Sequence, residues 1–446
     1  MTAVITPVIP IEEAASSRSG SLDDCVASCA TATSMEDLNR DCFCMAVDPQ
    51  ALHAQLDVLL AAEGLPTAIT TSHPHLFSAL PFYVSRRHLE QVAALVIAIE
   101  KVTATPAFQR AVMSWAPSIA CFDPGSPGGL LGFDVHLAPD GPKLIEINTN
   151  PGGALLNAML GKALHMCMPQ LTASPTDASK VEDQVVEVML EEWRLQRGDA
   201  QLRFVAIVDT APEQQYLYPE FVLYRELFRA RGYEAEICSP TDLVYRDHGL
   251  RLNGSSVDLV YNRLTDFSLA STASEHLRTA YLDRDVVVSP HPRGHALYAD
   301  KRNLSLLCDG DFLRVAGLDP LSAATLLAAV PVTTRVTSAN RDDLWERRRQ
   351  LFFKPAAGFG SRASYRGGKL TRGVWEQIGQ AEYVAQEIVR PSERYIAAKS
   401  DALKVDLRCY AYAGVVLLYA ARMYQGQTTN LRTPGGGFAP VLTARN

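Results

Sequence analysis

Residues 132–153 read GFDVHLAPDGPKLIEINTNPGG, and the fold is decided there. Phe133, Val135 and Leu137 alternate with Asp134 and His136, the period of two expected of a strand. Pro139-Asp140-Gly141-Pro142 is turn chemistry. Leu144, Ile145 and Ile147 carry a second strand, which ends in Asn148-Thr149-Asn150-Pro151-Gly152-Gly153. Glu146 and Asn148 lie two apart and so point to one face, and Asp134 can reach that face from the partner strand. Two carboxylates and an amide oxygen gathered this way suit a hard divalent cation that takes oxygen ligands and holds phosphates, namely Mg²⁺. The plainer alternative is a polar strand end beside a glycine turn.

Upstream, Ala120 to Asp123 opens the strand-rich segment, and residues 124–129 form a proline–glycine loop. Earlier still, Leu52, Leu56, Leu59 and Leu60 share one helical face. Leu89, Val92, Leu95, Val96 and Ile99 share another, which Thr105-Pro106 ends. His73 and His75 sit in a polar loop. Downstream, 154–168 reads as a helix, and residues 171–300 alternate strands (203–209, 235–238, 257–263) with helices (181–195, 218–231). That rhythm indicates a parallel α/β unit. Ligands bind such sheets at the carboxyl ends of strands. Asn262 and Arg263 fall at such an end, and Arg293 lies in the His291–His295 segment that follows the next strand. Arg263 is read either as a fork for a substrate carboxylate or as the partner of Asp258 or Asp266.

The last third begins with Asp300-Lys301 at a helix start. Lys354 lies on the strand 351–355, which feeds AAGFGSRASYRGG (356–368). The glycines of that loop, Gly358 and Gly360 among them, let backbone amides approach an anion. The strand 383–389 and a hairpin, 404–412 with 414–422, follow. Asp406 and Arg408 share a face of that hairpin, and YQGQTTNLRTPGGG closes the region.

These motifs, with Asn150-Pro151-Gly152, resemble the ATP-grasp fold of D-alanine–D-alanine ligase, glutathione synthetase and related carboxylate–amine ligases. In most of those enzymes the metal-binding motif closes the chain. Here it comes in the first third, an order similar to the circularly permuted glutathione synthetases of eukaryotes. The resemblance implies roles residue by residue. Asp134, Glu146 and Asn148 would bind metal. Lys301, Lys354 and the loop residues Gly358, Gly360 and Ser361 would meet ATP phosphates. Gln386, Glu387, Ile388 and Val389 would frame adenine, and Glu393 the ribose. Arg422 would meet phosphate or the transferring acyl group, Asn430 the nucleotide and metal, and Arg263, Asn262 and Arg293 the substrate. The loop's extra Arg362 and Arg366 depart from the pattern.

The expected fold class is therefore α/β, with α+β lobes: a permuted ATP-grasp fold with a parallel α/β substrate domain and a mostly helical N-terminal region. The expected organisation is 1–20 disordered, 21–119 helical, 120–170 the metal-binding part, 171–299 the substrate domain and 300–446 the nucleotide lobes. The implied function is amide or peptide bond formation through an acyl phosphate, with ATP and Mg²⁺ and with a small carboxylate and a small amine as substrates. A phosphotransferase or a non-catalytic nucleotide-binding protein is the alternative.

Composition agrees with a globular protein of two or three domains, 446 residues with 47% hydrophobic and 20% charged. A net charge of −7 gives no basic footprint for nucleic acid. No apolar run is long enough to span a membrane, and the N-terminus lacks the pattern of a signal peptide, so a cytoplasmic location is expected. A homodimer is left open. The nine cysteines are expected to be reduced, with no structural metal at Cys25, Cys29, Cys42 and Cys44, whose spacing fits no zinc module.

Overall fold

A computed structural model describes residues 34–65, 69–165, 169, 172–358, 363–396 and 401–445. The opening motif forms the expected hairpin, Leu131–Ala138 with Gly141–Asn148, turning at Pro139-Asp140. Phe133 and Val135 point into the core as their alternation requires, and Leu144 and Ile147, three apart, both do so because the pairing shifts by one residue at Ile145. The hairpin does not stand alone. Leu131–Ala138 pairs antiparallel with Ala402–Tyr412, which pairs in turn with Val415–Tyr424 and Ser392–Tyr395. Gly437–Ala439 completes this six-stranded sheet. Segments some 270 residues apart thus build one antiparallel surface.

The helix Arg86–Thr103 covers that sheet. It is capped by Ser85, whose hydroxyl accepts from the His88 amide. Leu89, Val92, Leu95, Val96 and Ile99 are buried against the hairpin, against Val415–Tyr424 and against the helix Pro320–Ala329. Each such aliphatic side chain contributes about 1.5–3 kcal/mol on leaving water. The N-terminal helices therefore belong to the core of the large lobe. The helix Pro49–Ala61 starts at an Asp48 cap and packs Leu52, Leu56 and Leu60 towards Ala154–Lys162 and Tyr218–Ala230. Phe82–Tyr83 pairs with Val441–Ala444 at the other end of the chain.

The α/β unit is a four-stranded parallel sheet in the order Val287–Ser289, Leu259–Asn262, Phe204–Val208, Glu234–Cys238. The chain starts at Phe204–Val208, steps out to Glu234–Cys238, then returns past its start to Leu259–Asn262. The direction of winding reverses between Phe204–Val208 and Leu259–Asn262, and sheets of this kind take ligands in a crevice beyond the carboxyl ends at such a reversal. Asp209 and Arg263 are the residues at those two ends.

A smaller antiparallel sheet, Thr333–Arg335, Tyr383–Glu387, Leu351–Pro355 and Tyr365–Arg366, makes the remaining lobe. Phe353, Trp375, Ile378 and Leu344 form its own core. Among the described residues no single helix is long and apolar enough to cross a membrane. Cys121, Cys238, Cys308 and Cys409 are free thiols, but Cys44 is disulfide-bonded, against the expectation of a wholly reduced set. Cys25 and Cys29 lie outside the described residues.

Candidate active site

A cleft of about 1220 Å³ lies between the small sheet and the six-stranded sheet. Lys301, from the turn after the helix Pro292–Tyr298, and Lys354, from the strand Leu351–Pro355, converge on it from different elements. Lys301 Nζ donates to the Gly358 carbonyl at 2.9 Å and stands 3.7 Å from Glu146 Oε2. Lys354 Nζ donates to the Ile145 carbonyl at 2.8 Å and to Gln386 Oε1 at 2.7 Å. One lysine of the small sheet is thereby tied to the residue before Glu146. Burial lowers the Lys354 ammonium to about 8, against the pull of the nearby Glu146 charge. Glu146 is itself subject to burial, which raises it. Lys301, Lys354, Arg422 and Arg408 overcome that and hold its carboxyl below the usual range.

The hairpin places Asp134 opposite Glu146, and Asn148 Nδ2 donates to Asp134 Oδ2 at 3.0 Å. The three residues read from the sequence as a metal trio are therefore adjacent. Asp134 has other partners, however. Arg408 meets it fork to fork, and Arg422 Nη2 reaches Oδ2 at 2.8 Å. Of these contacts three fall on Oδ2 and one on Oδ1, so Oδ1 keeps one of its two acceptor positions. Glu146, a third exposed, and the Asn148 amide oxygen remain as oxygen donors. Among the described residues no cluster of three His, Cys, Asp or Glu is arranged to hold a metal.

Asp406 continues the network. It accepts from His136 Nε2 at 2.9 Å, from Tyr424 Oη at 3.1 Å, from Arg422 at 3.3 Å and from Thr429 Oγ1. Burial would raise this carboxyl, but the His136 hydrogen bond and the Arg422 charge hold it at about 2. His136 Nδ1 also lies 3.1 Å from the Val389 carbonyl, so one imidazole joins the segment after the strand Tyr383–Glu387 to the six-stranded sheet. His136, Asp406 and Arg408 carried no role in the sequence reading. The alternation of Asp406 and Arg408 was visible, but their partners 270 and 274 positions away were not.

The remaining candidates divide. Gln386, Glu387, Ile388, Val389, Glu393, Gly358 and Arg422 line the cleft. Gln386 Nε2 and Arg422 Nε are buried there with no hydrogen-bond partner. Gly360 and Ser361 lie outside the described residues. The Asn430 amide turns back on its own loop instead, donating to the Gln425 carbonyl and accepting from Arg432 and Thr433. Asn262 braces the turn after its strand, donating to the Pro290 carbonyl and accepting from Leu264 N. Arg293 binds the Ala120 carbonyl, Gln109 and Asp123, away from both the cleft and Arg263. The sequence pattern put Arg293 near Arg263 because both follow strands. The helix Pro292–Tyr298 turns it towards the N-terminal helices instead.

Arg263 is buried at the switch point, donating to Tyr261 Oη at 2.9 Å and leaving its Nε without a partner. Burial pushes the neighbouring Asp209 carboxyl up to about 6, with the Thr210 amide and the Arg263 charge opposing. Glycine is required where this crevice meets the hairpin. A Cβ on Gly152 would strike Leu217 and approach Arg263 Nη2 to 3.3 Å, and Gly153 has φ 101°. Buried Glu220 accepts from the amides of Gly153 and Leu155, which fixes the turn. The Gly152 carbonyl accepts from Tyr410, the neighbour but one of Arg408. Gly152 thus lies between Arg263 and the strand that carries Arg408 and Tyr410.

A glutathione synthetase-like effector from Globodera pallida superposes with a TM-score of 0.51 at 12% identity, over 88% of this chain and 97% of that one. The chain has the ATP-grasp fold. Two others superpose too loosely to argue from. One is a candidate gamma-glutamylcysteine synthetase from Methylobacillus flagellatus, with a TM-score of 0.43 and 12% identity over 78% of this chain and 86% of that. The other is the D-cycloserine synthetase DcsG, with a TM-score of 0.31 and 22% identity over 55% and 75%. No protein-family model and no curated protein matches the sequence. The hairpin Leu131–Asn148 precedes the small-sheet lobe in the chain, yet shares a sheet with strands that follow that lobe.

Proposed function

We propose that this chain is an ADP-forming ligase that joins a carboxylate to an amine, with ATP in the cleft. The observation that carries the reading is the meeting of Lys301, Lys354 and Arg422, from three elements, around Glu146. Phosphoryl transfer needs positioning and charge neutralisation more than covalent help. Those three cations supply both, and the unpartnered Arg422 Nε and Gln386 Nε2 are donors ready for a ligand. The γ-phosphoryl group passes to the substrate carboxylate, giving ADP and an acyl phosphate. The amine then attacks the carbonyl carbon, loses a proton, and inorganic phosphate leaves with the bonding pair.

The donor chemistry fits Mg²⁺ held by Glu146 and Asn148, which leaves most of the shell to phosphate and water. Bound there, the ion would neutralise phosphate charge. Asp134 stands beside Glu146 and Asn148 and also holds Arg408 and Arg422. The crevice beside Gly152 suits the zwitterionic end of an amino acid or small peptide: Arg263 for the carboxylate, Asp209 for the ammonium. The order of the motifs supports a circular permutation.

The test is ADP release over pairs of amino acids and small peptides, with hydroxylamine as a trap for the acyl phosphate. ADP release that needs both substrates, with a hydroxamate formed when the amine is replaced by hydroxylamine, supports the ligase. Stoichiometric phosphorylation of one substrate without an amine would make it a phosphotransferase.

A further inference from the structure

We propose that the small-sheet lobe carries a docking surface for an acidic polypeptide, continuous with the mouth of the cleft. The surface is first a feature of composition. Residues 341–372 hold nine basic and three acidic residues, a net of +6 within a chain of net −7.

The fold brings several of these cations close together. The turns Arg348–Gln350 and Gly367–Lys369 pack side by side, so closely that a Cβ on Gly367 would overlap the Arg348 carbonyl. Arg349 lies against Gly368, and Arg366 is cross-strand from Phe352. Arg348 and Arg372 both stack on Trp345, at 3.9 and 4.1 Å from the ring centroid. Other arginines neutralise two nearby acids: Arg347 pairs with Asp343 at 2.9 Å, and Arg341 with Glu376 at 3.1 Å. That leaves Arg348, Arg349, Arg366, Lys369 and Arg372 with no salt-bridge partner among the described residues. Only Asp342 and Glu346 remain against them in the stretch.

Two details choose the partner. Two guanidiniums at such distances cannot share one face of the indole without overlapping, so both faces of Trp345 are covered. That indole therefore offers no open face for a base to stack on, as single-stranded nucleic acid binding uses. Arg366 and Lys369 also line the cleft, so the patch runs into the proposed site of carboxylate activation. A chain rich in Asp and Glu matches the patch in charge and can deliver a carboxylate to the cleft. This inference rests on the ligase reading and names its carboxylate substrate as part of an acidic peptide.

The test is fluorescence anisotropy of the full chain with a labelled deca-glutamate peptide. Binding should weaken steeply as salt rises from 50 to 300 mM, as exposed charge pairs do. The double variant Arg349→Glu/Arg372→Glu, at two residues that do not line the cleft, should lose at least about tenfold in peptide affinity. It should keep its melting temperature and its turnover of free small substrates. Arg349→Lys/Arg372→Lys should retain peptide binding. Absence of binding at low salt, or unchanged affinity in the Glu variant, overturns the proposal. So does tighter binding of a single-stranded decathymidine or of anionic phosphatidylserine vesicles. Failure of the ligase reading shows separately, as absent ADP release with small substrates in the unaltered chain.

Discussion

Asp134 and Arg408 face each other across adjacent strands with two parallel hydrogen bonds, Nε–Oδ1 at 2.6 Å and Nη2–Oδ2 at 2.7 Å. Both side chains are almost wholly buried. Arg422 touches Asp134 and Asp406 alike, so two carboxylates and two guanidiniums form one buried chain beneath the cleft.

Breaking that pair from one side leaves a buried charge short of its partner, a loss of about 3–5 kcal/mol. Arg408→Ala should lower stability by that order in denaturant titration. Arg408→Lys keeps the charge but not the fork and should fall between. An Arg408→Ala variant as stable as the parent would show that Arg422 and Asn148 suffice.

Lys301→Ala should reduce turnover at least about a hundredfold at saturating ATP, the scale of losing one preorganised charge contact in a transition state. Nucleotide affinity should fall much less, because the cleft-lining Gln386 to Val389 and Glu393 are untouched. Near-normal turnover would remove Lys301 from the phosphate site.

Lys354 offers a calorimetric test. Burial sets its ammonium near 8, so part of it is neutral at pH 8.5. A phosphate beside it favours the charged form, so ATP binding at that pH should take up a fraction of a proton. Titration calorimetry in buffers of different ionisation enthalpy measures this. Zero uptake at pH 8.5, or release, would mean that no phosphate reaches Lys354.

Glu146→Gln keeps size and removes charge. It should abolish turnover at ordinary Mg²⁺ while thermal melting stays within a few degrees of the parent. Full activity across a Mg²⁺ titration would remove Glu146 from the metal site.

Asp209 makes stability depend on pH. Its carboxyl titrates near 6 when folded against 3.8 for the unperturbed group. Between those values the folded state binds more protons than the unfolded one, so stability falls as pH rises through that window. Asp209→Asn cannot ionise. It should raise the melting temperature by roughly 2–4 °C at pH 7.5 and change it little at pH 4. An equal gain at both pH values would assign the effect to something other than charge.

The sequence by itself determined what is local. The alternation in 132–148 specified a hairpin, because successive side chains on a strand face opposite ways. Thr105-Pro106 ends one helix as read and also caps the next, because a cap binds amides two or three residues on. The pairing of Glu146 with Asn148 followed from their spacing, and Lys301 and Lys354 could be named from motif order. The tertiary structure decided whatever depended on register between distant strands. It turned Asp134 from a free carboxylate into the anchor of Arg408 and Arg422. It folded Asn430 onto its own loop, used Arg293 to tie the N-terminal helices, and brought His136 between Val389 and Asp406. A side chain's chemistry is written in its residue type, but which lone pairs and protons stay available depends on what the fold sets beside it.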